Sequence, residues 1–245
     1  MWLGHASFYI RLAGFAMLID PVLFNVSFMK RRAPVPVPVA SLRQVDYILI
    51  SHDHRDHCDA ASLKVLSQQN PDATYLTGLR MKTLLHGLTG SNRIQEAGWY
   101  QQYRTPEAIN IYYLPTRHWS RRGLGDTNKR LWGGFVIQGA GKTIYFGGDS
   151  GMGSHFAEVG QLFPQIDYAL IGIGAYKPEF FMSQAHLSPT DAVTAFNDTH
   201  AKHMIPMHYG TFDLSDEPLG DPLRVLQQTG AEGVIPVGPG EMVWL

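Results

Sequence analysis

The chain has 245 residues, 44% of them hydrophobic, and carries 20 basic against 21 acidic side chains for a net charge of −1. It can bury a substantial core, and its balanced charge excludes the broad positive field of a general nucleic-acid binder, so no nucleic-acid partner is expected. A single cysteine, Cys58, excludes an intrachain disulfide framework and a cysteine-rich structural zinc site, which leaves any metal to His, Asp and Glu; 11 histidines are at hand.

We expect one domain over residues 1–245. The opening Met1-Trp2-Leu3-Gly4-His5 lacks the charged and apolar stretches of a secretory signal. No apolar run approaches the roughly 20 residues that span a bilayer. A cytoplasmic location is the expectation.

Phe8 to Arg11 and Phe15 to Ile19 read as two strands around the turn pair Ala13-Gly14. The segment Lys30-Arg31-Arg32 followed by Ala33-Pro34-Val35-Pro36-Val37-Pro38 reads as an extended surface loop with a local basic patch that would suit an anionic head group. Val45 to Ile50 is nearly continuous in β-branched and aromatic residues, as in a strand buried on both faces. Asp59 can then cap a helix to about Ser67, with a strand over Ala73 to Thr77 and helical character over Leu79 to His86.

Strands follow at Ala108 to Leu114, Gly134 to Gln138 and Thr143 to Phe146, then a helix over Ser154 to Phe163 and a buried strand over Tyr168 to Ile173. Ser188-Pro189-Thr190-Asp191 starts a helix that should end near His200: Ser188 caps it, Pro189 takes the first helical position and Asp191 can bond back to the cap amide. Met204 to Met207 is a short strand and Asp221 to Gln228 a helix. Strands around Val234 to Val237 and Met242 to Leu245 close the chain. This alternation predicts an α/β layered domain with its site at one edge of the sheets.

Several polar clusters sit at predicted strand ends. Ser51-His52-Asp53-His54-Arg55-Asp56-His57 follows one buried strand, and imidazole and carboxylate are the groups that zinc or another borderline divalent ion accepts. His118, Asp149 and His208 each follow another strand. Taken together they suggest His52, His54 and His118 around one ion, Asp56, His57 and His208 around a second, and Asp149 as the bridge.

The pattern His52-x-His54-x-Asp56-His57, with His118, Asp149 and His208 following in order, resembles the metallo-β-lactamase superfamily. The segments Trp2 to Ser7, Leu18-Ile19-Asp20-Pro21, His118-Trp119-Ser120-Arg121-Arg122, Asp126-x-Asn128, Leu131 to Gly134 and Met207 to Phe212 are similar to its branch containing N-acyl-phosphatidylethanolamine-hydrolysing phospholipase D. The resemblance implies an α/β fold of the four-layer αββα kind. It also implies phosphodiester hydrolysis with zinc as cofactor, expected here as two ions, with manganese or iron as substitutes. A hydroxide shared by the ions would attack phosphorus, so Asp149 and Asp56 are candidate catalytic residues as well as ligands.

His186 resembles a further active-site histidine of that branch and is a candidate to protonate the leaving group or contact phosphate. Asp20 and His5 are candidates for orienting the ligands, with a turn role as the alternative for each. Arg121 and Arg122, beside His118, are candidates for binding phosphate oxygens. Trp119, Trp132, Tyr176, Phe180 and Phe181 are either pocket walls or core. His86, His155, His200 and His203 match no motif, and Cys58 is expected to be inert. The expected partner is a small-molecule or lipid-like phosphodiester, with at most peripheral membrane contact; a homo-oligomer is compatible. A lactonase or other carboxylic ester hydrolase on the same metal site is the competing reaction, and a binding protein without turnover is a third reading.

Overall fold

The computed structural model describes residues 1–244. Its first sheet is built from β1 (Trp2–Gly4), β2 (Ser7–Leu12), β3 (Phe15–Ile19), β4 (Tyr47–Ile50), β5 (Thr74–Gly78) and β6 (Ile94–Ala97), hydrogen-bonded in that order. β1 to β3 run antiparallel and β3 to β6 parallel. α1 (Ala60–Gln69) and α2 (Lys82–Thr89) provide the crossovers.

The second sheet contains β7 (Gln101–Gln102), β8 (Ile109–Leu114), β9 (Gly134–Gly139), β10 (Lys142–Phe146), β11 (Tyr168–Gly172) and β12 (His203–Met207), again in chain order. Its first four strands are antiparallel and β10 to β12 parallel. α3 (His155–Leu162), α4 (Glu179–Met182), α5 (Pro189–Asp198) and α6 (Asp221–Gln228) complete the helices.

Strand periodicity explains the layering. Met17 and Ile19 of β3, Leu49 of β4, Ile144 and Phe146 of β10 and Leu170 of β11 point into one apolar cluster between the sheets. Their neighbours point outward: Leu18, Ile48 and Ile50 meet Leu63, Leu66 and Leu85 of α1 and α2. Tyr145, Ala169 and Ile171 meet Phe156, Val159, Ala195 and Leu226 of α3, α5 and α6. Side chains alternate across a strand, so residues buried on both faces must be apolar throughout, which is why these strands read as continuous hydrophobic runs. The result is the four-layer αββα sandwich.

Local signals account for the element ends. Ala13 and Gly14 both have positive φ, 52° and 86°, as the tight turn between twisted antiparallel strands requires. Asp59 accepts from Ser62 N at the start of α1, and Ser188 and Asp191 form the capping box of α5. α2 begins three residues later than Leu79 because Arg80, at φ 67°, breaks the helical path, and it ends on Gly90 at φ 71°.

Two expected strands do not form. Val234 makes only an isolated bridge to Met204, and Pro236, without an N–H, cannot extend the ladder. Met242 to Trp244 have no strand structure, and Leu245 lies outside the described residues. β1, β6, β7 and α4 are short elements not anticipated from the sequence.

Folding takes Arg31 out of the basic patch at residues 30–32, while Lys30 and Arg32 stay exposed. Arg31 turns inward to donate to the carbonyls of Val22, at 2.6 Å, and Leu3, while Arg32 pairs with Asp213 at 2.7 Å. No helix among the described residues is long and apolar enough to cross a membrane.

Candidate metal centre

Seven side chains converge where strands from both sheets end. Ser51 to His57 leave the end of β4, whereas His118, Asp149 and His208 follow β8, β10 and β12. Gly148 permits the turn that carries Asp149 inward: its φ is 57°, and a Cβ there would stand 2.7 Å from Gly133 O. Asp20, His5 and His208 themselves have positive φ, at 40°, 55° and 63°. Non-glycine residues held in that region mark places where the surrounding structure imposes a backbone shape, as functional sites often do.

Two groups of donor atoms form. His52 Nε2 and His118 Nε2 lie 2.9 Å and 3.1 Å from His54 Nδ1. His57, His208, Asp56 and His5 form the second group, with ligand atoms within 4.8 Å of one another. Asp149 sits between the groups: its Oδ2 is 3.1 Å from His57 Nε2 and His208 Nε2, 3.8 Å from His118 Nε2 and 4.0 Å from His52 Nε2. The residues expected around each ion, and the expected bridge, are thus brought together.

These groups fit metal ions. Asp149 Oδ1 is buried without a partner, and His57 Nε2 and His208 Nε2, though 3.1 Å from Asp149 Oδ2, are buried without a well-formed hydrogen bond. Such orphaned atoms cost about 1–3 kcal/mol each unless something else meets them, and a shared cation would meet all three. The distances of about 3 Å from His54 Nδ1 to His52 Nε2 and His118 Nε2 also suit nitrogens sharing a zinc ion at Zn–N distances of about 2.0–2.1 Å. The charges agree. Burial, together with the neighbouring rings, holds His52 well below the usual imidazole range, and burial lowers His118 likewise, so both are neutral donors. Burial alone would raise the Asp149 carboxyl, but His208 and His57 keep it well below the usual carboxylate range. Burial also opposes charge on His208, yet Asp149 and Asp56 lift its ring to about 9: this half of the site calls for positive charge.

Each of three imidazoles has its outer nitrogen occupied. Asp20 Oδ2 accepts from His57 Nδ1 at 2.7 Å and from Ser51 Oγ at 2.5 Å. Ser51 Oγ in turn accepts from His52 Nδ1 at 2.9 Å. Ala185 O accepts from His118 Nδ1 at 3.0 Å. Fixing the proton on Nδ1 leaves the Nε2 lone pair aimed at the centre. Asp20 thus accepts from His57 and from both Ser51 N and Ser51 Oγ. His5 donates Nε2–H to Asp56 Oδ2 at 3.0 Å and packs its ring 4.1 Å from that of His208.

His186 Nδ1 lies 3.9 Å from Asp149 Oδ2, with its ring 5.3 Å from those of both His118 and His208. Burial brings its ring down to about 4. Trp119, partly exposed, sets its ring edge-on to His54 at 4.5 Å and so walls one side of the site. The arginines divide. Arg122 donates to Asp53 O at 2.9 Å and Cys58 O at 2.7 Å, which leaves Arg121, with an exposed side chain, as the one facing solvent.

Cys58 is fully buried, and burial pushes its thiol up to about 12, so it offers no thiolate. Ser51, which connects Asp20 to His52, and Asp53, which anchors the loop after His118, were not singled out in the sequence. Neither carries a pattern of its own; their roles come from contacts with residues distant in the chain.

Residues 16–209 match the family described as the beta-lactamase superfamily domain. The chain belongs to the beta-lactamase superfamily. A Caenorhabditis elegans protein named N-acyl-phosphatidylethanolamine-hydrolyzing phospholipase D 1 is 34% identical over 227 residues, covering 87% of this chain and 64% of that protein. This chain thus spans less than two thirds of that relative's length. A protein of the archaeon Caldivirga maquilingensis named UPF0173 metal-dependent hydrolase is 32% identical over 86% of this chain and 82% of its own. Among solved structures, an isothiocyanate hydrolase from Delia radicum gut bacteria superposes with a TM-score of 0.81 at 19% identity, over 100% of this chain and 98% of that one. A metallo hydrolase from Ignicoccus hospitalis superposes with a TM-score of 0.75 at 20% identity, over 99% and 96%. At such identities the superpositions establish the fold.

Proposed function

We propose that this protein, a metal-dependent hydrolase of the beta-lactamase superfamily, hydrolyses phosphodiesters at a centre of two zinc ions. The observation that carries the reading is the pair of adjacent donor groups sharing Asp149. His52, His54 and His118 would hold one ion, Asp56, His57 and His208 the other, and Asp149 would touch both. Nitrogen and oxygen donors without thiolate suit zinc, with manganese or iron accepted by the same set. When bound, two such ions supply Lewis acidity toward a phosphoryl oxygen and make water a nucleophile near neutral pH.

The chain's own groups do the rest. Asp20 and Ser51 hold His57 and His52 in register, and His5 holds Asp56. His186, with Nδ1 3.9 Å from Asp149 Oδ2 and its ring neutral near neutral pH, would give an N–H to a phosphate oxygen. Arg121 is placed to meet negative charge on the substrate, and Trp119 to pack against its apolar part. The relative named as a phospholipase D supports a diester with a lipid-like portion as the substrate class.

The test is hydrolysis of bis(p-nitrophenyl) phosphate by zinc-loaded protein, beside chelated protein and His54→Ala, with a small lactone in parallel. Diester cleavage lost in both controls is expected. Lactone opening without diester cleavage would replace the proposed substrate class with carboxylic esters.

A further inference from the structure

We propose that Asp53, Arg130 and Asp126 form a clamp that fixes the loop over residues 119–131 beside the metal centre and so sets substrate affinity; the proposal rests on the metal-centre reading above. Asp53 lies between His52 and His54 in the chain but does not join them. Its side chain is fully buried, and both oxygens are taken by the loop: Oδ1 accepts from Arg121 N at 3.0 Å and Oδ2 from Arg130 Nη1 at 2.8 Å. One carboxylate therefore holds both ends of the loop.

The same Arg130 nitrogen donates to Asp126 Oδ2 at 2.8 Å. Asp126 Oδ1 accepts from Arg122 N at 3.2 Å and Gly123 N at 2.9 Å, bracing the tip from within. Ser120 and Arg130 are tied by Ser120 Oγ donating to Arg130 O at 2.7 Å, and Asn128 N donates to Ser120 O at 2.8 Å. Arg122 completes the attachment through Asp53 O and Cys58 O.

The chemistry makes Asp53 and Arg130 interdependent. A buried carboxylate without its cation is strongly unfavourable, so losing Arg130 would draw Asp53 toward water and release both loop ends. The loop has few apolar anchors of its own: Leu124, between Gly123 and Gly125, is 97% exposed. It nevertheless carries Trp119, packed on His54, and Arg121, whose backbone N–H is one of the groups Asp53 holds. The clamp thus decides where an aromatic wall and an exposed guanidinium, held by Arg121 Nε donating to Gly123 O at 3.3 Å, stand relative to the proposed metal ligands. Asp53, Arg130 and Asp126 touch neither metal donors nor the reacting atoms, and act as positioning residues.

The experiment compares wild type with Arg130→Met, Arg130→Lys and Asp126→Asn in three measurements: hydrogen–deuterium exchange of peptides covering residues 119–131, zinc content, and steady-state hydrolysis of bis(p-nitrophenyl) phosphate. For Arg130→Met we expect loop exchange to rise with zinc content unchanged, and KM to rise by about tenfold with kcat within about threefold. Arg130→Lys should recover part of the loss, because a single ammonium can still stand between the two carboxylates. Asp126→Asn, which leaves the buried pair intact, should move in the same direction by less and keeps the test open if Arg130→Met does not fold. Unchanged loop exchange, zinc lost in step with activity, or a fall in kcat at constant KM would each overturn the clamp. If wild type is silent on the diester, exchange and zinc content still decide the clamp, and only the phosphodiesterase reading falls.

Discussion

His57 Nδ1 stands 2.7 Å from Asp20 Oδ2, and both side chains are fully buried. The carboxylate comes from the end of β3 and the imidazole from the loop after β4, so two neighbouring parallel strands place a ligand and its support side by side. In Asp20→Asn an amide must serve His57, Ser51 Oγ and Ser51 N, all of which need an acceptor. We expect zinc affinity to fall by about 10- to 100-fold, the range seen when such outer partners are lost. Competition against a fluorescent chelator measures this directly, and an unchanged affinity would return Asp20 to a turn role.

His5 makes a related prediction for the second donor group. Burial, reinforced by the nearby His208, brings its ring down to about 3, so near neutral pH it is an uncharged donor to Asp56. His5→Phe keeps an aromatic ring against His208 but removes that hydrogen bond. Zinc stoichiometry, read by atomic absorption after dialysis, should fall toward about one ion per chain, since only the Asp56 group loses a support. Full retention of both ions would show that packing alone is enough.

The donor side chains that the fold brings together were legible because their chemistry is local: alternate histidines at the end of an apolar strand suit a metal ion and little else. The core was legible for the same reason, as at Tyr47 to Ile50, where burial on both faces forbids polar residues. What was hidden depends on partners far away in sequence. Gln101 and Gln102 form an edge strand only because β8 offers them a ladder. Arg31 and Arg32 read as a surface patch until the fold supplies Val22 O, Leu3 O and Asp213. Arg121 and Arg122 are adjacent and alike in sequence, yet the Arg122 guanidinium turns in to Asp53 O and Cys58 O while that of Arg121 stays exposed, donating to Gly123 O.

His155, outside the metal groups, gives a pH-dependent stability term. It packs against Phe156, its Nε2 donates to Ser150 Oγ at 3.0 Å, and burial lowers its ring from 6.5 to about 4. The folded protein thus prefers the neutral ring. Above pH 6.5 both folded and unfolded chains carry it neutral, and the preference costs nothing. As pH falls from 6.5 toward 4 the unfolded chain takes up a proton that the folded one refuses, so stability declines by up to about 3 kcal/mol. Urea unfolding of wild type and His155→Gln, which keeps a donor for Ser150, should show a wild-type advantage at pH 7 that shrinks as pH falls toward 4.5. Parallel pH profiles would rule this out.

Cys58 should be silent. Its thiol is fully buried against the first sheet's outer core and pushed up to about 12. Cys58→Ala should keep its zinc content and lose about 1 kcal/mol or more of stability from the vacated volume. Native protein should not react with a thiol reagent until it is unfolded. Rapid labelling of the folded, zinc-loaded protein would mean that the metal loop opens.

Metal removal should weaken the whole sandwich, because the donors come from different sheets. His52, His54, Asp56 and His57 follow β4 of the first sheet, whereas His118, Asp149 and His208 follow β8, β10 and β12 of the second. A bound ion would join them at an edge where Asp149 Oδ1, His57 Nε2 and His208 Nε2 otherwise lack well-formed hydrogen bonds. A ligand held at 1,000 times its dissociation constant stabilises the native state by about 4 kcal/mol, and for a chain of this size each kcal/mol moves Tm by about 2–4 °C. Chelation should therefore lower Tm by about 10 °C, with exchange rising in the loops after β4, β8, β10 and β12 while the strands stay protected. An unchanged Tm would mean that ion pairs between protonated His57 or His208 and Asp149 hold the edge closed without metal.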